Sequence, residues 1–201
     1  MKKIIFSFLF LAFVSGCQPL LLKMYGIKQP EIENEKTILK KALKYQLDTS
    51  NIVTISAKDY LKEIGAHEIP DGAVFDAMGD YIEFRQTDTS CNAGLFQFIP
   101  SLETGKTFNK TGKTNLEMET NKWRDLRNNT VSLHSKADFY LLIYWTVWSG
   151  RLNKDHVKIW EDLARANTKC TIKVIKVNLD LQESWDKIER DEIINKLSKK
   201  K

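Results

Sequence analysis

The sequence predicts an α/β fold with a mixed sheet of about five strands flanked by helices. Three observations predict it. Phe139–Trp145 is a near-continuous apolar and aromatic run, the pattern of a strand buried on both faces. Leu152, Val157, Trp160, Leu163 and Ala164 then recur at helical spacing, and Thr171–Val177 alternates apolar residues with Lys173 and Lys176. Strand, helix and strand in that order form a βαβ unit whose two strands run parallel. Finally, 201 residues with 42% hydrophobic and 28% charged content make an ordinary globular chain. That balance excludes a disordered, collagenous or membrane-bundle class.

The remaining elements follow along the chain. Residues 18–30 hold Pro19, Gly26 and Pro30 and read as a tether. From Glu31 to Leu47, Ile38, Leu39, Ala42, Leu43 and Leu47 mark an amphipathic helix. Ile52–Ile55 is a short strand, and Ser56 is placed to cap a helix from Ala57 to Ile64, with Gly65 just past its end. Ile69 to Arg85 reads as a hairpin, turning at Asp76–Asp80 with Gly79 supplying the positive φ. Asn92 to Leu102 carries a helical pattern that Pro100 disturbs. Residues 103–136 are polar, repeat Thr-Gly-Lys-Thr and read as a long loop with a helix around Glu117 to Leu126. Thr171–Val177, with its lysines, reads as an exposed or edge strand, and Trp185–Lys199 as a final helix.

The N-terminus has the grammar of an export signal. Lys2 and Lys3 precede the apolar stretch Ile4–Val14, interrupted only by Ser7. That stretch is too short to span a bilayer, which takes about 20 residues as a helix. Val14-Ser15-Gly16-Cys17 resembles the lipobox of bacterial lipoproteins. The resemblance implies that residues 1–16 are removed, that Cys17 becomes the lipid-modified N-terminus, and that its acyl chains, palmitate among them, hold the protein on a membrane. Two or more acyl chains give stable anchoring. Gln18, in place of an aspartate, implies the outer membrane by the same analogy. Removing Lys2 and Lys3 lowers the formal charge from +5 to +3. The terminal Lys196-Leu-Ser-Lys-Lys-Lys201 run suits a helix end, and no aromatic-basic groove accompanies it, so no nucleic-acid partner is expected.

Leu141-Leu-Ile-Tyr-Trp-Thr-Val-Trp-Ser-Gly-Arg-Leu152, with the following helix and Val174-Ile-Lys-Val-Asn-Leu-Asp180, resembles the active-site half of a thioredoxin-like domain. In that family a buried strand ends in Trp-Cys-Gly-Pro-Cys. Trp148 and Gly150 match; Ser149 stands at the nucleophilic cysteine and Leu152 at the resolving one. Exchange of disulfides needs a thiolate attacking sulfur, so the family's redox chemistry does not carry over. The proline, hairpin and helix that close a thioredoxin occur here ahead of that half, at Ile69-Pro70 and after. The resemblance therefore implies a single, circularly permuted thioredoxin-like domain over 31–201, with Pro70 as the counterpart of the family's cis-proline. An ordinary trans proline opening a strand is the alternative.

The functional expectation is a binding or scaffold module rather than an enzyme, with a groove at Trp148, Ser149, Gly150, Leu152 and Pro70 able to hold an extended peptide or a protein partner. Ser149 has no base in reach, since His156 lies two helical turns on, and reads as a helix cap. Cys91 and Cys170 are the candidate thiols, and a lone-thiol oxidoreductase or peroxide-reducing activity at Cys91 is the alternative. No cofactor is expected. His67, His134 and His156 are too scattered for a zinc cluster. Gly105–Thr114 ends in Gly-Lys-Thr but has six residues between its glycines and no leading strand, which rejects a P-loop.

Overall fold

The structure, a computed structural model, describes residues 22–85, 92–133 and 135–199. Cys17, Cys91 and His134, and the signal that precedes Cys17, lie outside these residues.

The sheet is built on β7 (Phe139–Trp145) and β8 (Ile172–Asn178), which pair in parallel along seven residues each. The connection between them runs through α5 (Ile159–Ala166), as the βαβ pattern requires. β8 is not at an edge. It pairs on its other side, in parallel, with β2 (Ile52–Ile55). β7 pairs on its other side, antiparallel, with β3 (Asp71–Asp76), and β3 forms the expected hairpin with β4 (Asp80–Ile82), Gly79 turning at φ +85°. Two further strands extend the sheet to seven. β5 (Lys110–Asn115) pairs with β4, and β6 (Trp123–Arg124) with β2, giving the order β5-β4-β3-β7-β8-β2-β6. Both come from the stretch expected to be a polar loop. β5 has no apolar face and forms because β4 offers it a free edge.

Helices cover both faces. Leu141, Ile143 and Trp145 of β7 point to a cluster with Ile38 and Ala42 of α1 (Glu35–Lys44), Leu95 and Ile99 of α3 (Leu95–Ser101), and Trp160 of α5. Tyr140, Leu142 and Tyr144 point the other way, to Val53, Phe75, Trp123 and Val177. This two-sided burial is why β7 has no polar alternation. A third cluster joins Tyr60 of α2 (Ala57–Ala66) to Trp185 and to Ile193 of α6 (Lys187–Ser198). α4 (Leu116–Thr120) is a short turn after β5. Asn34 caps α1 through a reciprocal pair with Thr37. Ser56 precedes α2 but donates to Asp59 rather than capping the backbone, and Gly65 lies inside the helix.

The apparent edge-strand lysine has another explanation. Lys176 is 1% exposed, and its ammonium lies 2.8 Å from Oε1 of Glu161 on α5. Oε2 of the same carboxylate accepts from the amide of Asp48 at 3.0 Å.

Residues 22–30, within the expected tether, make regular backbone contacts. Residues 22–25 form a helical turn. Lys28 donates its amide to Trp148 O at 2.9 Å, and Tyr25 O accepts from the amide of Arg151 at 2.7 Å. The chain then enters β1 (Ile32–Glu33), which pairs in parallel with β9 (Leu181–Gln182).

Candidate functional site

β7 delivers the chain into a tight loop at its carboxyl end. Thr146 leads into a 3₁₀ turn, Val147–Ser149, followed by Gly150 and a π-helical turn, Asn153–Lys158. Asp180, just past β8, holds this loop. Its Oδ2 accepts from the Val147 amide and from Asn178 Nδ2, both at 2.7 Å, while Oδ1 is buried without a partner among the described residues. Gln182 completes the cluster by donating to Asn178 Oδ1 at 2.9 Å and Asp180 O at 2.8 Å. Burial pushes the Asp180 carboxyl up, against hydrogen bonds from Val147 and Asn178 that pull it down, to about 7.

Ser149 is fully buried. Its Oγ lies 2.8 Å from Thr146 O and 3.1 Å from Asn153 Oδ1, and Asn153 Nδ2 donates to the same Thr146 carbonyl at 2.8 Å. The hydroxyl thus ties the loop to itself, and does not cap helix amides as expected. His156 makes no contact with it; the imidazole packs instead against Phe96 and Trp160 with ring centroids 5.6 Å away. Nothing in this arrangement activates an alcohol for attack.

The five residues expected to line one groove fall on different sides of the loop. Pro70 and Leu152 share a hollow of about 340 Å³ with Ala93 and His156. The Ile69–Pro70 bond is cis, and the Pro70 carbonyl accepts from Asn92 Nδ2 at 3.0 Å. Trp148 and Gly150 instead line a larger cleft of about 1010 Å³, against α1 and residues 24–33. Trp148 is half-buried, and Ser149 reaches neither space. Gly150 is required where it stands. Its φ is +63°, and a Cβ there would meet Tyr25 O at 2.3 Å.

A network that the sequence reading passed over lies on the other side of Pro70. His67 Nδ1 is 2.6 Å from Asp71 Oδ2, its Nε2 is 3.5 Å from Glu63, and its ring stacks on Tyr144 at 3.7 Å between centroids. Arg85 Nη2 donates to Asp71 Oδ1 at 2.6 Å and to Asn92 Oδ1 at 2.8 Å. Lys122 bridges Glu63 and Glu119 at 2.9 and 2.8 Å. Burial pushes His67 down, but the bonds to Asp71 and Glu63 outweigh it and hold the imidazole above its ordinary value. The same imidazole and Lys122 hold Glu63 below the usual carboxylate range despite burial. Burial beside Glu119 raises Tyr144 well above an ordinary phenol. His67, Asp71, Arg85, Glu119 and Tyr144 border a hollow of about 480 Å³. No group of His, Cys, Asp and Glu among the described residues is arranged to hold a metal ion. The one available sequence signal was the spacing of Glu63, His67 and Asp71 at successive four-residue steps.

Cys170 is half-buried and unbonded to another sulfur; its thiol lies 3.4 Å from Leu102 O. Burial, then the nearby Asp138 and Glu103, push it up, so it is not an activated thiol.

The family of prokaryotic membrane lipoprotein lipid attachment sites matches residues 1–18. No curated protein and no solved structure matches the chain. No helix among the described residues is long and apolar enough to cross a membrane. A folded α/β unit thus follows a prokaryotic lipid attachment site, and the chain is a lipoprotein anchored to a membrane of the cell envelope.

Proposed function

We propose that the protein is held on the outer membrane through Cys17 and that its folded unit is a thioredoxin-like domain in permuted order, acting as a binding module without redox chemistry. The observation that carries this reading is the meeting of Pro70 and Leu152 in one hollow at the carboxyl end of β7. The sheet order supports it. Three parallel strands, β7, β8 and β2, are continued by antiparallel β3 and β4, with the proline at the head of β3. This order agrees with the arrangement the thioredoxin-like resemblance implies, with the hairpin placed ahead of β7 in the chain. At the two thiol positions stand a buried hydroxyl tied to Thr146 and an aliphatic side chain. The Pro70–Leu152 hollow is at the lower end of ligand-cavity sizes, suited to one or two side chains of an extended peptide.

The test is insulin reduction by the mature lipoprotein. The expected rate is that of the buffer alone. Turnover comparable to an ordinary thioredoxin overturns the reading. If Cys91→Ser then abolishes that turnover, the lone-thiol chemistry replaces it; Cys91 is bonded directly to Asn92, whose side chain holds the Pro70 carbonyl.

A further inference from the structure

The large cleft between α1 and the motif loop is strongly cationic. Lys28, Lys40, Lys41, Lys44 and Lys154 line it. None of the five is in an ion pair among the described residues, whereas Arg151, also on the cleft, pairs with Asp155 at 3.2 Å. Of the other two acids on its wall, Glu33 is buried and Glu31 is exposed.

The cleft lies at the anchored end of the chain. Met24, Tyr25 and Gly26 form part of its wall, and Leu22 begins the same helical turn. Five peptide links separate Cys17 from Leu22, a reach of at most about 18 Å when fully extended. Leu22 is 49% exposed and Met24 66% exposed, two apolar side chains at the point where the chain leaves the domain. A lipid on Cys17 therefore brings the bilayer surface within about 18 Å of the chain segment that walls this cleft. Phosphate headgroups lie there, and lysines within about a Debye length, ~8 Å, are attracted to them.

We propose that this cleft is the membrane-docking face of the protein, and that its five lysines seat the anionic phosphate headgroups of the bilayer that carries the anchor. The inference rests on the anchor at Cys17. It adds orientation: the Trp148 side of the loop faces the lipid, and the Pro70–Leu152 hollow is left for a partner in solution.

Lysine labelling tests it. The full lipidated protein is reconstituted on vesicles of phosphatidylcholine, with or without phosphatidylglycerol, and amine acetylation is followed residue by residue by mass spectrometry. On the anionic vesicles Lys28, Lys40, Lys41, Lys44 and Lys154 should react more slowly by about fivefold, the scale of one lysine's attraction to an anionic surface. Lys169 and Lys106 should not change. Lys169 precedes β8, at the opposite end of the parallel strands from Trp148, and Lys106 donates to Ser101 O at 3.4 Å near that end. Added salt should erase the difference. The triple variant Lys40→Gln, Lys41→Gln, Lys44→Gln, with Lys40 and Lys44 exposed and Lys41 half-buried on α1, should lose the protection at Lys28 and Lys154. Flotation with both vesicles but uniform labelling overturns the inference and leaves the anchor standing. Failure to float with neutral vesicles overturns the anchor and the inference together. Protection by an acidic peptide in solution, with none on anionic vesicles, also overturns it and assigns the cleft to a protein partner.

Discussion

Gly150 lies against the carbonyl of Tyr25 so closely that the first atom of any side chain would come within 2.3 Å of that oxygen. Its backbone angles, φ +63° and ψ −130°, also belong to glycine. Gly150→Ala should therefore cost about 3 kcal/mol or release residues 22–28 from the loop. Gly105→Ala is the control, because Gly105 has φ +82° and open space around it, so only the backbone term of about 1 kcal/mol applies. Thermal denaturation reads the cost. Hydrogen exchange at the Lys28 and Arg151 amides reads the release. Equal effects of the two substitutions would show that the approach to Tyr25 carries no weight.

Asp180 makes the fold weaken as the pH rises. Its carboxyl is at about 7 in the folded protein, against about 3.9 in an unfolded chain. The folded state therefore holds the proton more tightly. The stabilisation from this group is complete below pH ~4, declines as the pH rises through 7 and is gone beyond it, a loss on the order of 4 kcal/mol. Asp180→Asn should remove that slope and be the more stable form at pH 8, because its amide oxygen still accepts from Val147. Urea midpoints at a series of pH values decide it, and a D180N variant less stable than the parent at pH 8 contradicts the account.

His67 contributes in the same direction over a higher range. Its folded value is raised above 6.5 by Asp71 and Glu63. Its stabilisation is complete below about pH 6.5 and is lost as the pH passes the folded value. His67→Gln should cost about 1–3 kcal/mol at pH 5 and less at pH 8. The Cε1 proton resonance of His67 in the wild-type protein gives the titration directly, and a midpoint below 6.5 would refute the assignment.

Lys176 and Glu161 form a buried pair. Lys176→Met leaves a carboxylate in the core with only the Asp48 amide, at a cost of about 3–5 kcal/mol. Lys176→Met combined with Glu161→Gln should recover most of that. A double-mutant cycle on the denaturant midpoint measures the coupling, and additive losses would mean that the two groups do not depend on one another.

The parts of the fold legible in the sequence are those whose cause is local. The apolar run of β7, the helical stripe around Trp160 and the Gly79 turn each carry a period or a required φ. What failed depends on partners distant in the chain. Lys176 reads as solvent-facing until Glu161 is seen beside it. β5 has no period at all, because an edge of β4 creates it. The candidate site divided for the same reason. Trp148, Ser149, Gly150 and Leu152 are neighbours in sequence, but the 3₁₀ turn and residues 22–28 direct them to three environments. The His67 network draws on α2, β3, β7 and the residues after β4 and α4, and no single segment announces it.

The hydrogen bonds from Lys28 to Trp148 and from Arg151 to Tyr25 have a mechanical meaning. A pull transmitted through a lipid anchor on Cys17 reaches the described fold at residue 22, where it is borne as shear across these two bonds and then across the short ladder between β1 and β9. From residue 22 onward the chain is tied to the loop, and the loop is the first part of the described fold to bear the load.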